Sequence, residues 1–169
     1  MPRIHGTPQA GWWDGHTLPT TGPTGTTTTW VGNTLKFTKT GRVFGISYYD
    51  GTGGASSESY AIGVLVADQP VYPEVGRSQM LVMAPNQSAK FMHIWFHKPL
   101  RIDTTTLWRV AVLYLGGGFY RTNNALTTPV TRNNIQLING FQTTSLDIAS
   151  SILTTNANAN AVDVLFQAD

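Results

Sequence analysis

Lys90-Phe91-Met92-His93-Ile94-Trp95-Phe96-His97 is the stretch from which the fold follows. Side chains two apart on an extended strand share a face, so Met92, Ile94 and Phe96 form one row and Phe91, His93, Trp95 and His97 the other. The aliphatic row belongs to a core, which leaves a Phe-His-Trp-His row facing solvent or another layer. Leu107–Leu115 alternates in the same way. It carries Leu107, Arg109, Ala111 and Leu113 on one side and Trp108, Val110, Val112 and Tyr114 on the other.

Outward from these two segments the chain reads as short strands divided by turn residues, the pattern of an all-β sandwich or barrel. Strands are expected at Val31–Phe37, Arg42–Tyr49, Tyr60–Ala67, Ser78–Met83, Lys90–Phe96, Leu107–Leu115, Phe119–Thr122, Ile135–Ile138 and Val162–Gln167. β-Branched and aromatic residues fill these runs, as a pleated, half-buried surface favours. Lys39-Thr40-Gly41 is expected to close a tight hairpin, and Asp50–Gly54, Ala84–Asn86 and Gly116–Gly118 to supply longer turns. No segment has a clear 3.6-residue period, although Thr143–Leu153 has room for one helical turn. The alternating Asn and Ala of Thr154–Ala161 predict a loop leading into the last strand.

The first 29 residues differ from the rest. Gly, Pro and Thr dominate Pro8 to Thr29, and such a segment cannot by itself bury enough apolar surface to offset the entropy of ordering it. One domain with an arm is therefore expected, an extended Gly/Pro/Thr-rich arm over 1–29 and a β-sandwich domain over 30–169. Inside the arm stands Trp12-Trp13-Asp14-Gly15-His16. Either the arm folds back and an indole caps the domain's own core, or the tryptophans anchor in a neighbouring subunit, where large aromatics contribute most to binding. The second arrangement is the expectation, with Trp12, Trp13 and His16 as the partner-binding residues.

Composition narrows the function classes. The 169 residues are 41% hydrophobic and only 12% charged, with no Cys, so a disulfide framework, a thiolate metal site and a cysteine nucleophile are excluded. Eleven Lys and Arg give a net charge of +2 but are scattered, whereas nucleic-acid binding by counterion release needs them clustered. No apolar run approaches the roughly eighteen residues of a helical membrane span; the longest lie near Ala61–Ala67 and Val110–Leu115. The opening Met1–Gly6 shows no apolar core of a secretory signal. Neither nucleic acid nor membrane insertion is expected.

Chemistry-bearing patterns are sparse. There is no Gly-x-Ser-x-Gly elbow, phosphate loop, dinucleotide fingerprint or His-Glu-x-x-His, and no cofactor is expected. The only two Glu, Glu58 and Glu74, stand among turn residues, and no two of Asp50, Asp68, Asp103 and Asp147 are marked as an acid–base pair. An enzyme is therefore not expected. On a regular strand His93 and His97 lie about 13 Å apart, too far to share a metal whose bonds to nitrogen are about 2.0–2.1 Å. Asp14 and His16 read as polar turn residues. The row His93, Trp95 and His97, with Tyr120, is the candidate binding stripe, since an indole stacks on a partner and imidazoles hydrogen-bond at its edges. An ordinary interfacial strand has the same pattern.

Several segments in order carry a resemblance. Val31-Gly32 through Phe37 leads to Gly41-Arg42-Val43-Phe44-Gly45-Ile46-Ser47-Tyr48-Tyr49; then come Ile94-Trp95-Phe96-His97-Lys98-Pro99-Leu100, Asp103–Tyr114, and finally Val162-Asp163-Val164-Leu165-Phe166. From Val31 to Phe166 the chain resembles a family of β-sandwich domains of unknown function, found in bacterial secreted surface proteins beside carbohydrate-active modules and in phage virion proteins. The resemblance implies an antiparallel, jelly-roll-like sandwich used for binding. Two functions are then expected. One is a structural virion protein of a bacteriophage, a minor tail or capsid-decorating subunit held by its arm to other virion proteins and to copies of itself, its sandwich exposed to host-surface carbohydrate. The other is a free carbohydrate-binding module of an extracellular or cell-surface system.

Overall fold

The computed structural model describes residues 11–13, 29–50, 59–68, 74–77, 81–83, 90–115, 122–123, 129–143, 154–156 and 159–169. Among them there is no helix. The strands are β1 (Thr29–Phe37), β2 (Gly41–Asp50), β3 (Ser59–Asp68), β4 (Glu74–Arg77), β5 (Leu81–Met83), β6 (Lys90–Ile102), β7 (Leu107–Leu115), β8 (Thr122–Asn123), β9 (Val130–Arg132), β10 (Ile135–Thr143), β11 (Thr154–Asn156), β12 (Ala159–Asn160) and β13 (Val162–Ala168). A large sheet runs β11-β10-β1-β7-β3-β4, with β9 beside β10 and β5 beside β3. A small sheet runs β13-β2-β6, and β12 pairs with β8. The two antiparallel sheets pack face to face as a β-sandwich.

Sheet assignment corrects one expected turn. Lys39-Thr40-Gly41 closes no hairpin, because β1 pairs with β10 and β7 while β2 pairs with β13 and β6. The turn carries the chain from one sheet to the other. A hairpin would leave β1 and β2 in one layer, with Phe37 and Val43 lacking a facing sheet; crossing over buries both completely. The turn's own polar groups are met elsewhere, Thr38 N–H donating to Asn134 O at 2.9 Å and Asp169 N–H to Thr40 O at 3.0 Å. The tight hairpin lies instead at Asn133-Asn134, joining β9 to β10 with φ of 49° and 64°. Two consecutive positive φ values are what a two-residue turn between twisted strands requires, and Asn tolerates them better than most residues.

The central strands of the large sheet bury apolar residues on both faces. Val31, Leu35, Phe37, Leu65, Val110 and Val112 point into the main core between the sheets. Trp30, Val64, Val66, Ala111, Leu113 and Phe141 form a second cluster on the opposite face. This explains why Ala61–Ala67 and Val110–Leu113 are continuously apolar: a strand buried on both sides has no polar row to alternate. Gly32 lets the Phe141 ring of that second cluster lie close over β1. A Cβ there would collide with Val110 O and sit 2.7 Å from the Phe141 ring.

Thr154–Ala161 is the second correction. β11 and β12 are short strands, and Asn160 is fully buried. Its amide is tolerated because its bonds are made. Asn160 N–H donates to Asn33 Oδ1 at 2.9 Å, and its Nδ2 donates to Gly32 O at 2.7 Å and Phe141 O at 3.1 Å. Asn33, equally buried in β1, donates back to Asn160 O at 2.8 Å and to Val162 O at 2.6 Å. Of the other expected strands, Ser78–Met83 is found as β5 over Leu81–Met83, its residues 78–80 lying outside the described residues, and Ile135–Ile138 extends to Thr143. Residues 119–121 and 144–153, which include most of the expected helical turn, lie outside the described residues.

Asp103 closes the β6–β7 turn. The N–H groups of Thr105 and Thr106 donate to its Oδ1 at 2.8 and 2.7 Å, and the two hydroxyls add bonds at 2.9 Å. These donors, the Thr106 N–H foremost, hold its carboxyl below the ordinary 3.8. Because the folded value is the lower one, the turn's contribution is present above pH 3.8 and lost as pH falls through the folded value. The stability gap between the native chain and Asp103→Ala should therefore be constant near neutrality and narrow in acid, as denaturant midpoints measured across pH will show. Asn160→Ala removes the amide's bonds to Gly32 O and Phe141 O in the sandwich interior, at about 0.5–1.5 kcal/mol for each bond lost. Its urea midpoint should fall well below that of a surface control such as Thr131→Ala.

Candidate functional site

The partner-binding expectation for Trp12 and Trp13 does not hold, for both indoles are buried in the chain's own core. Among the described strands the small sheet ends at β13, and Gly11–Trp13 lies against it at the Asp163 carboxylate and Val164 O. Trp13 N–H donates to Asp163 Oδ2 at 2.7 Å, while Trp13 Nε1 donates to Asn160 O at 3.0 Å. Trp12 Nε1 donates to Val130 O at 3.0 Å, and the Arg132 guanidinium stacks 4.0 Å above the Trp12 ring. Loss of water around Arg132 draws its pKa down. The rings meet edge to face at 4.9 Å, and Asn133 Nδ2 fastens Gly11 O at 2.8 Å. Among the described residues no second strand pairs with β13, and the two indoles join the core cluster beside it. His16 and Tyr120 lie outside the described residues.

The other expected stripe is exposed. Of the five tryptophans, Trp12, Trp13, Trp30 and Trp108 are at most 5% accessible, whereas Trp95 is 53% accessible. Ile94 and Phe96 face the core and His93 and His97 face solvent, as the alternation predicts. Cross-strand register places Trp95 beside Gly45, with Leu165 one strand further on, His93 beside Ser47, with Asp163 beyond it, and Phe91 beside Tyr49. Gly45 fits because β2 and β6 approach too closely for a Cβ, which would meet Ile94 O and lie 2.9 Å from the Trp95 Cα. Phe91 and Tyr49 pack edge to face at 5.7 Å beyond the histidine row. Tyr48 is the buried member of the tyrosine pair.

The regular stripe stops at Trp95. Between the paired Val43 and Gly45 of β2 lies Phe44 alone, whereas four residues of β6, Phe96–Pro99, lie between their partners Trp95 and Leu100. His97 therefore stands on a bulge, and its spacing from His93 is not that of a regular strand. Among the described strands β6 pairs only with β2, so it is an edge. A bulge bearing Lys98 and Pro99 blunts such an edge against further strand pairing. His97 and Lys98, both on this bulge, are exposed.

Sequence reasoning missed two groups on this face. Arg42 of β2 lies directly opposite Arg101 of β6, and both are exposed. Arg101 reaches Asp169 at 3.4 Å. Their separation along the chain hid the pair, and only a knowledge that β2 neighbours β6 would have revealed it. Among the described residues no group of three or more His, Cys, Asp or Glu is arranged to hold a metal ion. Compared with known families and curated proteins, the sequence finds no matching family model and no matching protein.

The two tryptophan sites should respond oppositely to truncation. Trp13→Ala empties a buried indole site and orphans Asn160 O in part, for a loss of about 3–5 kcal/mol. Trp95→Ala removes a side chain already half in water and should cost less than about 1 kcal/mol. Thermal or urea unfolding of both variants measures the contrast.

Proposed function

We propose that this chain is a carbohydrate-binding β-sandwich and that Trp95 is its stacking platform. The observation that carries the reading is the exposure of this one indole, when every other tryptophan is withdrawn from water. Leaving a large aromatic in solvent forgoes roughly 1.5–3 kcal/mol of burial, a cost that a binding partner recovers. An indole face suits the apolar C–H face of a sugar ring, and His93 and His97 supply polar groups at its rim. Gly45 adds no side chain beside the ring, so a flat ligand meets no wall from β2.

The wider setting rests on the family resemblance from Val31 to Phe166. In that reading the domain is an outward-facing structural subunit of a bacteriophage particle, in contact with other virion proteins and copies of itself. A free module of a bacterial secreted or surface system would use the same face. Attachment to a particle would not run through Trp12 and Trp13, since withdrawing them would open the core.

The test is binding to a broad panel of polysaccharides by affinity electrophoresis. The intact protein should be retarded by some of them, and Trp95→Ala should weaken that binding at least about tenfold, as loss of a central aromatic anchor does. Its melting temperature should change by only a few degrees. A panel with no ligand, or a Trp95→Ala variant that binds as well as the native chain, would defeat the proposal.

A further inference from the structure

We infer that the ligand of the small-sheet face is an acidic polysaccharide, whose charged groups are received by Arg42, Arg101 and Lys98 while a sugar ring stacks on Trp95. The inference rests on the proposed role of Trp95 and adds to it the chemical class of the ligand. Its basis is the placement of cations. Register sets Arg42 directly across from Arg101 on the solvent side of the sheet, because their neighbours Val43 and Ile102 both face the core. Like charges in directly opposed positions repel, so the pair is not explained by sheet stability.

Among the described residues one solvated carboxylate reaches these cations. Arg101–Asp169 is the one ion pair on this face among the described residues, and its side chains are 71% and 46% exposed. Such a solvated contact, at 3.4 Å, leaves the guanidinium available to an incoming anion. The nearby Asp103 carboxylate is engaged by the Thr105 and Thr106 donors. Lys98 adds a third cation on the bulge between Trp95 and Arg101.

The dimensions suit a polymer. Gly45, beside Trp95, and Arg42 are three residues apart on β2, about 10 Å at the usual strand rise. A ligand that touches both rows is longer than one pyranose ring. Guanidinium groups bind carboxylate and sulfate through paired N–H donors, which makes acidic sugars a better match than neutral ones. A single-stranded nucleic acid fits less well, since its binders offer several stacking aromatics along a basic track, and this face exposes one indole.

The experiment compares the intact protein with Trp95→Ala and with the double variant Arg42→Gln, Arg101→Gln. The probes are polygalacturonate, dextran sulfate, unmodified dextran and single-stranded DNA, at 50 and 500 mM NaCl, each with a melting curve. The expected result is binding to an acidic polysaccharide that weakens at least tenfold at high salt. It should weaken at least tenfold again in either variant, with melting unchanged or slightly raised in the double variant. Equal, salt-insensitive binding to neutral glycans, with the double variant unaffected, overturns the acidic class and leaves the Trp95 reading standing. Binding to no polysaccharide overturns both. DNA binding as tight as that of the polysaccharides, and indifferent to Trp95→Ala, identifies non-specific capture of polyanions and overturns the inference.

Discussion

The reciprocal pairing of Asn33 and Asn160 is the constraint on which the rest of the sandwich depends. Each amide bonds the backbone around the other, and together they connect β1, β10, β12 and the start of β13. Buried amides are tolerated only with their bonds made, so this set admits one relative position of the two sheets. A slip of one residue in β1 would exchange Asn33 for Gly32 or Thr34 and turn the rows that hold Val31, Leu35 and Phe37 away from the core. Asn160 O also receives the Trp13 indole, so the same centre decides where residues 11–13 close the side of the fold.

With β13 positioned in this way, the two margins of the small sheet are treated differently. On one margin, Gly11–Trp13 covers β13, and Asp163 accepts the N–H groups of Trp13 and Val164. The other margin, β6, pairs with no second strand among the described residues and is blunted by the Phe96–Pro99 bulge. Protection by a bulge leaves the outer face accessible, which protection by a covering segment would not. The exposed indole, the histidines and the arginine pair all belong to that side, so edge management and the candidate binding function share one piece of structure.

Much of this was legible in the residues. The alternation in Lys90–Phe96 separates a buried row from an exposed one, and the exposure of Trp95 follows from it. The β class follows from β-branched and aromatic runs between turns. What misled was local chemistry read without its tertiary partners. Asn160 looks like loop material until Gly32 O and Phe141 O are brought to it, and Trp12-Trp13 looks like a free anchor until Val130 O and Asn160 O accept its indole N–H groups. Lys39-Thr40-Gly41 has hairpin chemistry, yet it joins strands of different sheets. The Asn133-Asn134 pair was the readable hairpin signal, two residues tolerant of positive φ between strand-forming runs.

The sequence by itself determined that this chain is built of antiparallel strands, which row of β6 is buried, and that one aromatic row is turned outward. Those properties depend on neighbours one to four residues apart, where backbone geometry leaves few choices. Only the tertiary structure decided that Trp12 and Trp13 are core residues, that Asn33 and Asn160 hold the sheets together, and that Arg42 stands across from Arg101. Each of these joins residues dozens of positions apart, and such contacts exist only once strand order and register have brought them together.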